Sequence, residues 1–160
     1  MRINIDVNEH IVASLPKIWK NELGFAGFFS KSKEGILTLT TRKIVFVPQF
    51  VFVSPKDRER YFGDEKAKIT KINDYSEIQL DEDISNNPKS LLIPLKSILD
   101  VESVNLRNVN FLRIKFTDDG KKKGCDFGIT KSVTNYPIRQ PLIFSSLDWG
   151  EWIHHIKSFQ

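Results

Sequence analysis

The stretch Gly35 to Pro48, GILTLTTRKIVFVP, decides how the rest of the chain is read. Leu37 and Leu39 share one face of a first short strand, and Ile44 and Phe46 share one face of a second. Thr40, Thr41 and Arg42 between them are polar, and Pro48 is a stop. The pattern predicts two antiparallel strands joined at a Thr-Arg turn. The apolar texture runs on through Phe50, Val51, Phe52 and Val53 and changes at Ser54-Pro55.

A second hairpin follows from FLRIKFTDDGKKKGCDFGI. Leu112, Ile114 and Phe116 alternate, Asp119-Gly120 marks the turn, and Cys125, Phe127 and Ile129 alternate on the return. Towards the N-terminus, Ile11, Val12, Leu15, Ile18 and Trp19 carry a helical spacing that Pro16 would interrupt, so the segment is assigned as a strand with a proline bend. GFAGFFSKSKEG comes next, with Phe25, Phe28 and Phe29 among glycines and Lys17, Lys20, Lys31 and Lys33 around them. It is either a bent strand entering the core or an aromatic loop. LLIPLKSILDVESV reads as a strand that bends at Pro94, a residue suited to a sheet edge or bulge.

From about residue 54 to 90 the chain is mostly charged and holds too few apolar residues for a core of its own. The expectation is a long insertion between strands, part ordered and part mobile, with Ile69, Ile72, Ile78 and Leu80 available for an extra hairpin. Thr130 to Phe144 reads as a connecting loop. Ser145 and Ser146 are candidate caps for a terminal helix, on which Trp149, Trp152, Ile153, Ile156 and Phe159 recur at spacings of three and four.

At 160 residues, 40% of them apolar, the chain is expected to form a single domain over residues 1–160 around one core. The lone Cys125 cannot bridge within the chain, which points to a reducing, cytoplasmic setting. No window reaches the roughly 18 apolar residues of a spanning helix, so any membrane contact is expected at the surface. The formal net charge of +4 includes five acids and no base between Asp74 and Asp83, so the remainder of the chain carries about +9. That excess suits an anionic partner or simply keeps the protein soluble.

Nothing in the sequence spells out catalysis. There is no nucleophile elbow and no glycine-rich phosphate loop, and the adjacent His154 and His155 project about 100° apart on a helix, which does not suit one metal. The expectation is therefore no enzyme, no cofactor and no metal. The acids at Asp81 to Asp83 and at Asp118 and Asp119 read as solvated turns, and Cys125 as a small buried residue.

The Gly35 hairpin, with its glycine, its "L-x-L-T" run and its basic turn, resembles the signature hairpin of GRAM and related pleckstrin-homology-like domains. The order of strands, insertion, strands and terminal helix is similar to theirs too. The resemblance implies a mainly β fold with one C-terminal α-helix: a partly open barrel of two antiparallel sheets, capped by the amphipathic helix with Trp149 or Trp152 as its plug. It also implies a recognition or localisation module. An anionic membrane surface would meet Lys31, Lys33, Arg42 and Lys43, with Phe28 and Phe29 inserted among acyl chains. The basic pattern of phosphoinositide-binding relatives is matched only loosely. The alternative is a protein-interaction module similar to the ubiquitin-binding GLUE domains, using Tyr75, Ile78 and Leu80 of the acidic insertion. Nucleic acid ranks below both, because KDRERYFGDEK intersperses bases with acids.

Overall fold

The computed structural model describes residues 2–23, 33–130 and 144–160. Phe25, Phe28, Phe29 and Lys31 lie outside them, as does most of the Thr130 to Phe144 connection. The fold is mainly β. Strands β1 (Ile11–Glu22), β2 (Lys33–Thr40) and β3 (Lys43–Val47) are followed by helix α1 (Pro55–Phe62), a 3-10 turn (Gly63–Glu65) and helix α2 (Glu77–Asn86). Then come β4 (Leu91–Pro94), a 3-10 turn (Leu95–Ser97), β5 (Ile98–Leu106), β6 (Val109–Asp118), β7 (Lys121–Thr130), the short β8 (Phe144–Ser145) and the terminal helix α3 (Gly150–Ser158). The strands form one antiparallel sheet in the order β4-β3-β2-β1-β7-β6-β5, with β8 added to β7, and the sheet is not closed.

Both hairpins are present in the expected register. Leu37 faces Phe46 and Leu39 faces Ile44 across β2 and β3, and Ile114 faces Cys125 across β6 and β7. Asp119 and Gly120 both have positive φ, at 50° and 77°, which makes the two-residue turn match the right-handed twist of the strands it joins. Gly35 is required for a different reason: a Cβ there would lie 2.3 Å from the Val47 carbonyl oxygen. In β1 the register slips between Leu15 and Ile18, and Lys17 after Pro16 has φ 60°, so the proline bend is a bulge. The LLIPLKSILDVESV strand breaks in two at Pro94. Its halves, β4 and β5, form opposite edges of the sheet.

The insertion departs from expectation. It contains no hairpin: Ile78 and Leu80 lie on α2, and Ile69 and Ile72 lie in an irregular segment packed against the main core. It is folded and shares the core of the sheet, because β1 pairs with β2 from Ile11 to Lys20 but with β7 only from Ile18 to Glu22. The bare edge of β1 is met by the insertion. Ser14 N–H donates to the Thr70 carbonyl at 2.7 Å, and Ile72 N–H donates to Ser14 Oγ at 2.8 Å. Tyr61, Phe62 and Ala67 of the insertion join Leu15, Leu37, Phe46, Leu112 and Phe127 in the main core. On the opposite face of the sheet, Val45 and Val47 pack with Leu80 and Ile84 of α2 and with Ile5 of the N-terminal arm.

Helix α3 closes the main core. Trp149, Trp152 and Ile156 are fully buried, and the two indoles meet edge to face at 6.3 Å. Ser145 and Ser146 do not cap this helix: Ser145 pairs with Ile129 in β8, and Ser146 Oγ accepts from Asn110 N–H at 3.0 Å. The N-cap is Trp149, without a side-chain capping bond, and Asp148 just before it accepts from Gly150 N–H at 2.8 Å. Trp152 Nε1 donates to the Lys68 carbonyl at 3.0 Å, and Trp149 Nε1 donates to the Asn110 carbonyl at 3.4 Å. Replacing Trp152 by Phe removes the shorter bond and leaves the part-buried Lys68 carbonyl without its donor, at a cost of about 1 kcal/mol. Urea unfolding should show Trp152→Phe destabilised by at least that amount and by more than Trp149→Phe. Equal losses would show that the bond to the insertion adds nothing.

Candidate functional site

The register separates the basic residues of the hairpin. Lys33 begins β2, whereas Arg42 and Lys43 follow its last residue. Eight residues of strand at about 3.3 Å each put the two groups about 25 Å apart, too far for one head group to bridge.

At the Arg42 end the cations are already engaged. Arg42 Nη1 pairs with Asp6 at 3.0 Å. Lys43 Nζ pairs with the fully buried Glu9 at 3.3 Å and donates to the Asn4 carbonyl at 2.7 Å. Glu9 also accepts from the Thr40 hydroxyl and from Asp6 N–H. The arm is held again from α2, where Asp81 accepts from the backbone N–H of Ile3 at 3.0 Å, Asn4 at 2.5 Å and Ile5 at 3.0 Å, and Glu77 accepts from Ile11 N–H at 3.0 Å. Asp81 and Asp83 are thus buried helix residues, not the solvated turn that a run of acids suggests. Tyr75 donates its hydroxyl to Asp83 at 3.0 Å, and Leu80 is fully buried, so of the three proposed insertion anchors Ile78 alone stands exposed.

The other end of the sheet is different. Glu22 lies opposite Cys125, Lys20 opposite Lys33 and Ile36 opposite Val47, while Leu23 N–H donates to the Gly124 carbonyl at 2.9 Å. The chain therefore leaves β1, enters β2 and leaves β3 at one end, and the β6–β7 turn extends beyond it. Lys123 is paired with Asp118 at 2.8 Å. Lys121 and Lys122 are exposed, and no carboxylate among the described residues lies within ion-pair distance of either. The segment after β3, Pro48 to Val53, is uncharged and holds Phe50 and Phe52, which are 71% and 78% exposed. The sequence shows the apolar texture running on past the stop at Pro48, and the structure leaves both rings outside any strand and exposed.

Burial pushes the Cys125 thiol up to about 12, so it stays protonated. Arg113 makes a two-point contact with Asp126, at 2.8 and 2.9 Å, across β6 and β7. His155 Nδ1 is bound to the Glu151 carbonyl at 2.8 Å, and among the described residues no group of three His, Cys, Asp or Glu side chains could hold a metal ion. No described helix is long and apolar enough to cross a membrane. No family model matches the chain, and no curated protein matches it.

The arm makes the molecule sensitive to acid. Desolvation raises the Asp81 carboxyl, but the three backbone N–H donors outweigh it and hold the group below the usual carboxylate range; Ile11 N–H does the same for Glu77. A carboxylate held low adds stability above its unfolded value, near 4, and that stability is lost as pH falls through the lower folded value. Hydrogen-exchange protection of Ile3, Asn4 and Ile5 should therefore fall below about pH 4 while β6–β7 stays protected. Asp81→Asn should show the loosened arm already at pH 7. An arm equally protected in that variant would remove Asp81 as its anchor.

Proposed function

We propose that this chain is a noncatalytic recognition module of the pleckstrin-homology-like, GRAM type that docks on anionic membrane surfaces. The fold assignment is supported by the strand order, in which β1 pairs with both β2 and β7, and by a terminal helix that fills the main core with two tryptophans. The docking face is the end of the sheet that carries Pro48 to Val53 and the Lys121-Lys122 turn. One observation carries this reading: two phenylalanines about three-quarters exposed share a sheet end with two exposed lysines that make no ion pair among the described residues. Exposed aromatic rings gain by entering the acyl boundary, and each lysine near an anionic surface contributes about 1 kcal/mol. Lys31, Phe28 and Phe29 belong to the connection between β1 and β2, Lys33 begins β2 at this same end, and the four are proposed to add to the face. Arg42 and Lys43 are excluded from it by their pairing with Asp6 and Glu9 at the far end.

Protein recognition is the second reading, and β5 favours it. It is an edge strand of nine residues with Leu99 and Leu106 exposed, a surface on which an extended peptide adds by backbone pairing.

Cosedimentation with phosphatidylcholine vesicles, with and without phosphatidylserine, separates the two. Binding is expected only with phosphatidylserine and should weaken as salt rises. Lys121→Glu with Lys122→Glu should lower it at least tenfold, and so should Phe50→Ala with Phe52→Ala. Lys31→Glu with Lys33→Glu should weaken it as well, whereas Arg42→Gln should leave it unchanged. No binding to either vesicle would refute the membrane reading and direct attention to β5.

A further inference from the structure

Away from that docking face, a cleft of about 320 Å³ opens between α1 and β8. Phe62 and Phe144 form its apolar walls, and Arg58, Glu65, Ser145 and Ser146 supply its polar groups. Its volume lies at the lower bound of small-molecule sites.

The two charges in this cleft do not meet. Arg58 stacks over the Phe62 ring at 5.7 Å and donates one Nη2–H to Ser145 Oγ at 3.3 Å. These contacts fix the guanidinium and use one of its five donors. Among the described residues no carboxylate lies within 4 Å of it. Ser145 and Ser146 each already accept a hydrogen bond, from Arg58 and from Asn110 N–H, and each retains a hydroxyl proton to donate. The Arg58 side of the cleft is therefore rich in unused donors.

The backbone at Glu65 is fixed, and its side chain is exposed at the cleft. Asp64 and Glu65 have φ of 57° and 56°, a left-handed conformation unusual for glutamate. It is maintained because Asp148 N–H donates to the Glu65 carbonyl at 2.7 Å and Lys66 N–H donates to that of Gly63 at 3.2 Å. A non-glycine backbone held in this region beside a cleft is a recurrent mark of a binding site. Arg58 and Glu65 line the same cleft and make no ion pair with each other.

We infer that this cleft binds a small zwitterion, a phosphate joined by a short chain to a primary ammonium. The phosphate oxygens accept from the Arg58 guanidinium and from the Ser145 and Ser146 hydroxyls, and the ammonium pairs with Glu65. The guanidinium fork and two hydroxyls suit a tetrahedral oxyanion, and the carboxylate opposite selects against anions that lack the amine. Phosphoethanolamine is the simplest member of this class. It occurs both as a free metabolite and as a lipid head group.

The test is titration of the ¹⁵N-labelled chain with phosphoethanolamine, inorganic phosphate and ethanolamine in parallel. Phosphoethanolamine should shift the amides of residues 58–65 and 144–147 saturably, at least tenfold more tightly than phosphate. Glu65→Gln, on an exposed side chain, should reduce its affinity to that of phosphate, and Arg58→Gln should abolish both responses while amides elsewhere stay in place. If Arg58→Gln fails to fold, Arg58→Lys, which keeps the charge but lacks the fork, should still weaken binding. Phosphate binding as well as phosphoethanolamine, with Glu65→Gln unchanged, would overturn the zwitterion assignment. No saturable shift from any of the three would overturn the site. Vesicles containing phosphatidylethanolamine that shift the same amides would assign the lipid source, and a response to the soluble compound alone would assign the free one.

Discussion

The paired tryptophans of the terminal helix hold the molecule together. A buried indole supplies a large apolar surface, but it also brings an N–H that must find an acceptor. Trp152 finds the Lys68 carbonyl of the insertion, and Trp149 finds the Asn110 carbonyl near the start of β6. One turn of helix therefore ties together two parts of the chain that are remote in sequence. Ala67 N–H donates to the Asp148 carbonyl just before the helix and reinforces the same junction. Without it, neither the edge of β1 that β7 leaves bare nor the underside of the open sheet would be covered.

The insertion is thus part of the fold, and its acids have structural duties. Asp81 and Glu77 bind backbone N–H groups of residues 3–11, and this holds Ile5 against Val45, Val47 and Leu80. The arm in turn contributes Asp6 and Glu9, which neutralise Arg42 and Lys43. Lys43 is thereby largely buried against Glu9, while Arg42 stays half exposed with its charge paired to Asp6. Lys121 and Lys122, at the opposite end of the sheet, make no ion pair among the described residues and lie at the same end as Phe50 and Phe52.

Local patterns were legible in the sequence and long-range partnerships were not. The alternation around Thr41-Arg42 and around Asp119-Gly120 sets two hairpins, and Pro16 marks the bulge in β1, because in each case the deciding residues are neighbours. Helix α2 was hidden because Ile78, one of its few apolar residues, faces solvent, while Asp81 and Asp83 are buried. Acids read as solvated unless their donors are known, and those of Asp81 lie more than seventy residues away. Ser145 looked like a helix cap for the same reason: its partner in β7 is remote in sequence. Of the candidate site, the lysine turn was visible as a run at a hairpin tip. Phe50 and Phe52 were not, since an exposed ring and a buried one look identical in sequence.

The proposed membrane docking rests on the uncharged, aromatic Pro48 to Val53 segment and the Lys121-Lys122 turn lying at one end of the sheet. The direct measurement is paramagnetic broadening of backbone amide signals by anionic vesicles doped with spin-labelled lipid. Strong broadening at residues 49–53 and 119–122, with sharp signals at Arg42, Lys43 and the Arg107-Asn108 turn, is the result expected here. Broadening centred on Arg42 and Lys43, or spread evenly over the surface, would contradict it.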